Sequence, residues 1–192
     1  MSPLALPPMP PWAVAEAVVD DPGPGALLWG EEALLPVGAS AARGRDLRQG
    51  RLAAHRALAR LGAQPTALLA GDLGQPMWPS GFLGSIAHAG GVAIAVAATH
   101  EHSLGLGVDL ETLDRVPSRR FEALVLTDTE RAWIETTPSL RALHALLCFS
   151  AKESIYKAFS PGHPAPMDYQ DVSLAPLSSG TLRAQWVAST RR

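Results

Sequence analysis

The chain has 192 residues, 47% of them apolar, a formal net charge of −2 and a single cysteine, Cys148. That is enough apolar material for a buried core, which argues against a disordered chain. It lacks the basic excess of a general nucleic-acid binder, and one cysteine excludes an internal disulfide framework and fits a reducing compartment. The opening MSPLALPPMPPW has no basic region followed by an apolar stretch of signal-peptide length, and no run is long enough to span a bilayer. The expectation is a soluble cytoplasmic protein with neither a membrane nor a nucleic-acid partner.

Residues 1–38 hold most of the Pro and Gly punctuation and read as an irregular lead-in, with a short strand around Trp12–Val19. Ser40 is placed to cap a helix running to Leu61, with Gly62 as its stop. On that helix Leu47, Ala54, Leu58 and Leu61 recur at core-facing spacing, and Arg43, Arg48, Arg51 and His55 make a basic face. Residues 70–81 form a turn-rich loop. Residues 82–88 and 91–98 read as two strands joined at Ala89-Gly90-Gly91. Residues 104–111, LGLGVDLE, read as a third strand. Thr127 with Glu130 is a capping box that starts a short helix. Pro138 and Ser139 open a long helix ending near Phe159, and DVSLA and TLRAQWV close the chain as a hairpin. This order predicts an α+β protein of two similar lobes, a pseudo-dimer, each lobe a small, mainly antiparallel sheet with a packed helix. The lobes divide at 1–102 and 103–192 and act as one unit, for which a monomer suffices.

Two features carry charge where a core element is expected. In GVDLE, alternation puts Asp109 and Glu111 on one face of a strand and turns Val108 and Leu110 to the core. Paired carboxylates repel and call for a positive partner, which a hard divalent cation such as Mg²⁺ supplies; a hydrated strand end is the plainer alternative. In CFSAKESIYKAF the apolar face runs through Leu147, Ala151, Ile155 and Ala158, yet the same two turns carry Lys152, Glu153 and Lys157. Glu153 and Lys157 stand four apart, the spacing of an ordinary surface pair, and a lone Lys152 reads as well as a snorkelling lysine. His88, ending a strand, and the arginines of the first helix are equally ordinary when taken singly.

In their order they are not. The arginine-bearing helix, then GDLGQPMWPSGFLGSIAH, then GVDLE, then TDTERAW and FSAKESIYKA resemble the 4′-phosphopantetheinyl transferases of the enterobactin/surfactin-synthase type over roughly residues 40–175. That family shows GR-x-x-A, G-x-P-x-WP, GS-[IL]-[ST]-H, G-[IV]-D-x-E and [FW]-[SC]-x-KE-[AS]-x-x-K. The resemblance implies a coenzyme A cleft between the two halves and transfer of the phosphopantetheine arm to a serine of an acyl, peptidyl or aryl carrier protein. It also implies that Asp109, Glu111 and Glu153, with the Leu110 carbonyl, hold one Mg²⁺, and that Asp109, Glu153 and Lys157 serve the chemistry. Lys152 and Lys157 would meet phosphate oxygens. Arg43 and Arg51 would grip the ribose 3′-phosphate, His88 would contact phosphates, and loop 70–73, with Gly71, would follow the adenine through backbone groups. The chain departs from the pattern at Ala70, where relatives carry Lys or Arg, and at Ala87 in the coenzyme A site, where they carry Ser or Thr. It also carries Ser154 and Phe159-Ser160 where Ala and Trp-Phe are common. The competing readings are a non-catalytic coenzyme A or carrier-binding module and a Mg²⁺-dependent nucleotide phosphohydrolase.

Overall fold

The computed structural model describes residues 6, 8–23, 29–33, 38–72, 74–114, 116–159, 167–178 and 180–187. Strand β1 (Ala13–Val18), helix α1 (Ala41–Arg60) and strands β2 (Phe82–Ala89) and β3 (Val92–Thr99) form the first structural group, with an antiparallel sheet in the order β1-β3-β2. The Ser40 hydroxyl accepts from the Arg43 N–H at 3.2 Å, so the cap starts α1 where the sequence places it. Ala89 pairs with Val92, which leaves Gly90-Gly91 as a two-residue turn with φ of +57° and +81°. Both turn positions need positive φ in the type I′ geometry that follows the twist of a hairpin, and glycine adopts it without strain.

The central strand β3 is nearly all alanine and small β-branched residues, and Ala93 through Ala98 are all buried. Ala95 and Ala97 pack under Ala53, Ala54, Ala57 and Leu58 of α1, with Val18 and Leu68. Small side chains on both partners let helix and sheet approach closely. The opposite face, carrying Leu83, Ser85, Ala87, Ile94 and Val96, is likewise closed to solvent, so this sheet is covered on both sides. Leu47 and Leu61 are half-buried, and of the two Leu61 packs against this core.

The second group contains α2 (Arg119–Val125), α3 (Asp128–Glu135), α4 (Arg141–Phe159) and the antiparallel hairpin β4 (Val172–Pro176) and β5 (Leu182–Trp186). Its separate core joins Val125, Leu126, Ile134, Ala145, Cys148, Val172 and Leu174. The Thr127–Glu130 capping box is present. Helix α2 is absent from the sequence reading: it has only seven residues, held by a Ser118 cap and by Arg141 of α4, whose Nε donates to Glu122 at 3.0 Å.

Two expectations fail here, the second only in part. Residues 104–111 form no strand; the segment is irregular, and Val108 and Leu110 are half-buried, not core. At Gly105 and Gly107 the segment runs so close to α4 that only glycine fits. A Cβ on Gly105 would sit 2.6 Å from the Ala158 carbonyl oxygen, and one on Gly107 would sit 2.7 Å from the Ser154 carbonyl carbon, with its oxygen nearer still. The segment lies on the backbone of α4 and takes its position from that helix. The buried stripe of α4 matches the expected one only in part. Ala151 and Ile155 are partly buried and pack against the second core, but Leu147 is 44% exposed, Ala158 is only partly buried, and the fully buried positions are Ala145, Leu146, Cys148 and Lys152. Spacings of three and four are kept, but the stripe ends in a lysine.

Candidate functional site

Laying the 104–111 segment on α4 brings three carboxylates toward one phenol. Asp109 Oδ1 accepts from Lys157 Nζ at 2.6 Å, and the same ammonium donates to the Val108 carbonyl at 3.2 Å. The Lys157 partner is therefore Asp109, not Glu153 one turn back. Glu153 Oε1 instead accepts a hydrogen bond from the Tyr169 hydroxyl. Burial, that hydrogen bond, and the negative charges of Glu153, Asp109 and Glu111 all push the Tyr169 phenol above its ordinary range. It stays protonated, so it serves as a donor. Tyr169 went unseen in the sequence: PMDYQDV carries no periodicity or spacing to mark it, and it enters the site from the short 3₁₀ turn Tyr169–Asp171 ahead of β4.

Lys152 departs from its expected place. It is fully buried, and its ammonium donates to the Val125 carbonyl at 2.8 Å, Glu130 Oε2 at 2.7 Å and the Tyr169 carbonyl at 2.8 Å. An ammonium has three donors, so all are spent inside the core and none faces a phosphate. Glu130 is as fully occupied: its Oε2 also accepts from the Thr127 N–H at 2.7 Å and its Oε1 from the Leu174 N–H at 2.8 Å. Cys148 next to this pair is no nucleophile, since burial and the Glu130 charge push its thiol up to about 12.

Arg51 also departs from expectation. It is 5% exposed, with Nε 3.7 Å from Glu32 Oε1. Desolvation lowers its pKa, and the Glu32 charge opposes this only in part. Burial pushes the Glu32 carboxyl up, but hydrogen bonds from His55 and the Trp29 N–H outweigh it and hold the group below the usual carboxylate range. The guanidinium faces a carboxylate from its own fold, not an open phosphate site. Arg43, in contrast, is exposed on the first turn of α1. Three residues on, Asp46 stands 3.6 Å from the ring of His88, which is 41% exposed at the end of β2. Past His88, a Cβ on Gly90 would come within 2.9 Å of Thr112 Cγ2, the residue after Glu111. The turn after His88 thus runs beside the end of the acidic segment. Ala87 is 3% exposed, its methyl packed in the sheet and closed to a ligand. Gly71 lines a surface hollow of about 510 Å³ with Ala70, Asp72, Met77 and Trp78. Its N–H donates to Gln75 and its carbonyl accepts from Gly74, so both backbone groups are already used within the loop. Leu73 and Ser160 lie outside the described residues.

Among the described residues, no three His, Cys, Asp or Glu side chains stand close enough together to hold a metal ion as they are. The expected cluster is engaged elsewhere, with Asp109 on Lys157 and Glu153 on Tyr169. In kind the donors suit a hard divalent cation, being carboxylate oxygens throughout. Asp109 Oδ2 is buried with no hydrogen-bond partner. An orphaned acceptor of this sort is costly unless something positive meets it.

No helix among the described residues is long and apolar enough to cross a membrane. Residues 31–98 match the family model described as the 4′-phosphopantetheinyl transferase N-terminal domain, and residues 105–192 match the 4′-phosphopantetheinyl transferase superfamily. The chain is 37% identical over 171 residues to the 4′-phosphopantetheinyl transferase Svp of Streptomyces mobaraensis, covering 87% of this chain and 69% of that one. It is 34% identical over 163 residues to PptT of Mycobacterium tuberculosis, covering 84% and 70%. With enterobactin synthase component D of Escherichia coli K12 it shares 34% over 126 residues, covering 65% and 59%.

Proposed function

Since the chain belongs to the 4′-phosphopantetheinyl transferase superfamily, we propose that it moves the 4′-phosphopantetheine arm of coenzyme A onto a serine of an acyl, peptidyl or aryl carrier protein, releasing adenosine 3′,5′-bisphosphate. The observation that carries this reading is that α4 holds Asp109 through Lys157 and, one turn back, presents Glu153 to Tyr169, whose phenol also feels the charges of Asp109 and Glu111. The serine oxygen bonds to the phosphorus that bears the pantetheine arm, and the phosphoanhydride bond to the departing bisphosphate breaks. Negative charge grows on the leaving phosphate, so fixed cations contribute most of the rate. Lys157, half-buried and fixed by two hydrogen bonds, is the cation nearest the acids. On the N-terminal side we assign phosphate contact to the exposed Arg43 and to His88, which is 41% exposed and has Asp46 3.6 Å from its ring. Asp109, Glu111 and Glu153, with the Leu110 carbonyl, would hold the Mg²⁺, which when bound neutralises charge on the diphosphate. We assign acceptance of the serine proton to Glu153.

The test is an intact-mass assay of the chain with coenzyme A, Mg²⁺ and a panel of apo acyl, peptidyl and aryl carriers. A gain of one phosphopantetheine arm on at least one carrier is expected. Coenzyme A binding without any gain would favour the non-catalytic module, and phosphopantetheine released without a carrier would favour the hydrolase. Asp109→Ala and Glu153→Ala are each expected to cut transfer by roughly 100-fold or more while far-UV circular dichroism stays native, because neither side chain belongs to a hydrophobic core. Full turnover in either purified variant would remove these acids from the reaction.

A further inference from the structure

Lys152 and Glu153 are neighbours in sequence, yet one points into the core and the other toward the acids. Both hold the same residue. Lys152 Nζ donates to the Tyr169 carbonyl at 2.8 Å, and Glu153 accepts from the Tyr169 hydroxyl. The backbone of Tyr169 is fixed a second time by the turn it opens. There Asp168 Oδ1 accepts from the Gln170 N–H at 2.9 Å, and Asp171 Oδ2 accepts from the Asp168 N–H at 2.8 Å. The ring is held too, tilted against Phe149 at 5.7 Å, which in turn meets Phe121 edge-on at 5.1 Å. A tyrosine immobilised at its carbonyl, its turn and its ring has one free function left, the direction of its O–H. That direction is the Glu153 carboxylate.

We propose that Tyr169 is a positioning residue for Glu153, fixing one carboxylate oxygen so that the other is presented toward Asp109 and Glu111. The inference builds on the proposed transfer reaction but concerns this chain's own residues. A carboxylate on a half-buried helix turn can still sample several rotamers, and ordering it at the moment of binding costs free energy. A hydrogen bond from a rigid donor removes that cost beforehand, as outer-shell partners do for metal-ligating carboxylates. The arrangement also gives the Lys-Glu dipeptide a shared purpose: the lysine sets the depth of the tyrosine, and the tyrosine sets the glutamate.

Tyr169→Phe deletes only the hydroxyl. The ring contact with Phe149 and the carbonyl bond to Lys152 remain, so thermal unfolding is expected to match the parent. Mn²⁺ binding to the protein without coenzyme A, followed by electron paramagnetic resonance, is expected to weaken roughly 10–100-fold, with a similar fall in kcat and no change in KM for coenzyme A. Glu153→Gln supplies the second arm: adding Tyr169→Phe to it should lower Mn²⁺ affinity no further, because a residue acting through another gives non-additive losses. Unchanged or tighter Mn²⁺ binding by Tyr169→Phe would overturn the inference, as would losses that add in the double variant or a parent chain that binds no Mn²⁺. Because the metal titration uses neither carrier nor coenzyme A, a failure of transfer in the parent chain would count against the proposed reaction alone.

Discussion

Lys152→Ala is expected to lose its fold before it loses anything at a phosphate. Removing one member of a buried ion pair leaves the other charged and uncompensated, at a cost of about 3–5 kcal/mol, a large share of the roughly 5–15 kcal/mol of a typical domain. Here the orphan would be Glu130, fully buried behind Thr127 and Leu174. The carbonyls of Val125 and Tyr169 would lose their donor as well. For a chain of this size about 1 kcal/mol moves the midpoint by some 2–4 °C, so a fall on the order of 10 °C or outright failure to fold should appear in a thermal melt. Repairing the charge with Glu130→Gln in a Lys152→Met background should recover only part of the loss. Both oxygens of Glu130 accept backbone N–H groups, and an amide has one oxygen, so whichever way Gln is turned its NH₂ confronts one of them. A Lys152→Ala protein that melts with the parent but needs far more coenzyme A would restore the phosphate-contact role and discard the anchor.

The same residue marks the limit of what the sequence discloses. The capping residues Ser40 and Thr127, the Gly90-Gly91 turn and the closing hairpin are all local devices whose partners lie within a few positions, so short stretches suffice to read them. Lys152 is different. Whether a lysine on a helix faces a ligand or a buried glutamate depends on Val125, Glu130 and Tyr169, residues 17 to 27 positions away. Arg51 is legible as a cation for the same reason and misplaced for the same reason, since Glu32 arrives from outside the helix. The acids Asp109, Glu111 and Glu153 stand out by type and order; in the structure Asp109 pairs with Lys157 and Glu153 with Tyr169, and among the described residues no three such side chains stand together as a metal site. What the sequence could not provide was the intermediary. Tyr169 belongs to no pattern, and its importance is visible only once α4 and the turn before β4 are folded against each other.

Gly107→Ala is the substitution expected to separate activity and metal binding from stability most sharply, because it changes no polar group at all. The methyl carbon would fall far inside 3.0 Å of the Ser154 carbonyl oxygen, and 3.0 Å from the Ala158 nitrogen; all the atoms in its way are helix backbone. A flexible side chain could swing aside, but α4 cannot, so the segment must lift away. Asp109 follows two residues later and is tied to α4 through Lys157. Lifting the segment by on the order of an ångström would carry Asp109 and Glu111 farther from Glu153, and misplacements of that size cost about 100-fold in rate. Overpacking adds about 1–3 kcal/mol of destabilisation, less than the loss expected for Lys152→Ala. The expected profile is therefore a protein that still folds, melts a few degrees lower, binds Mn²⁺ weakly and transfers at about a hundredth of the parent rate, measured by thermal unfolding, metal titration and the carrier mass assay on one preparation. Parental turnover with a parental melting point would mean that the glycine is not what seats the acids, and that the close approach of residues 105–107 to α4 has no part in building the site.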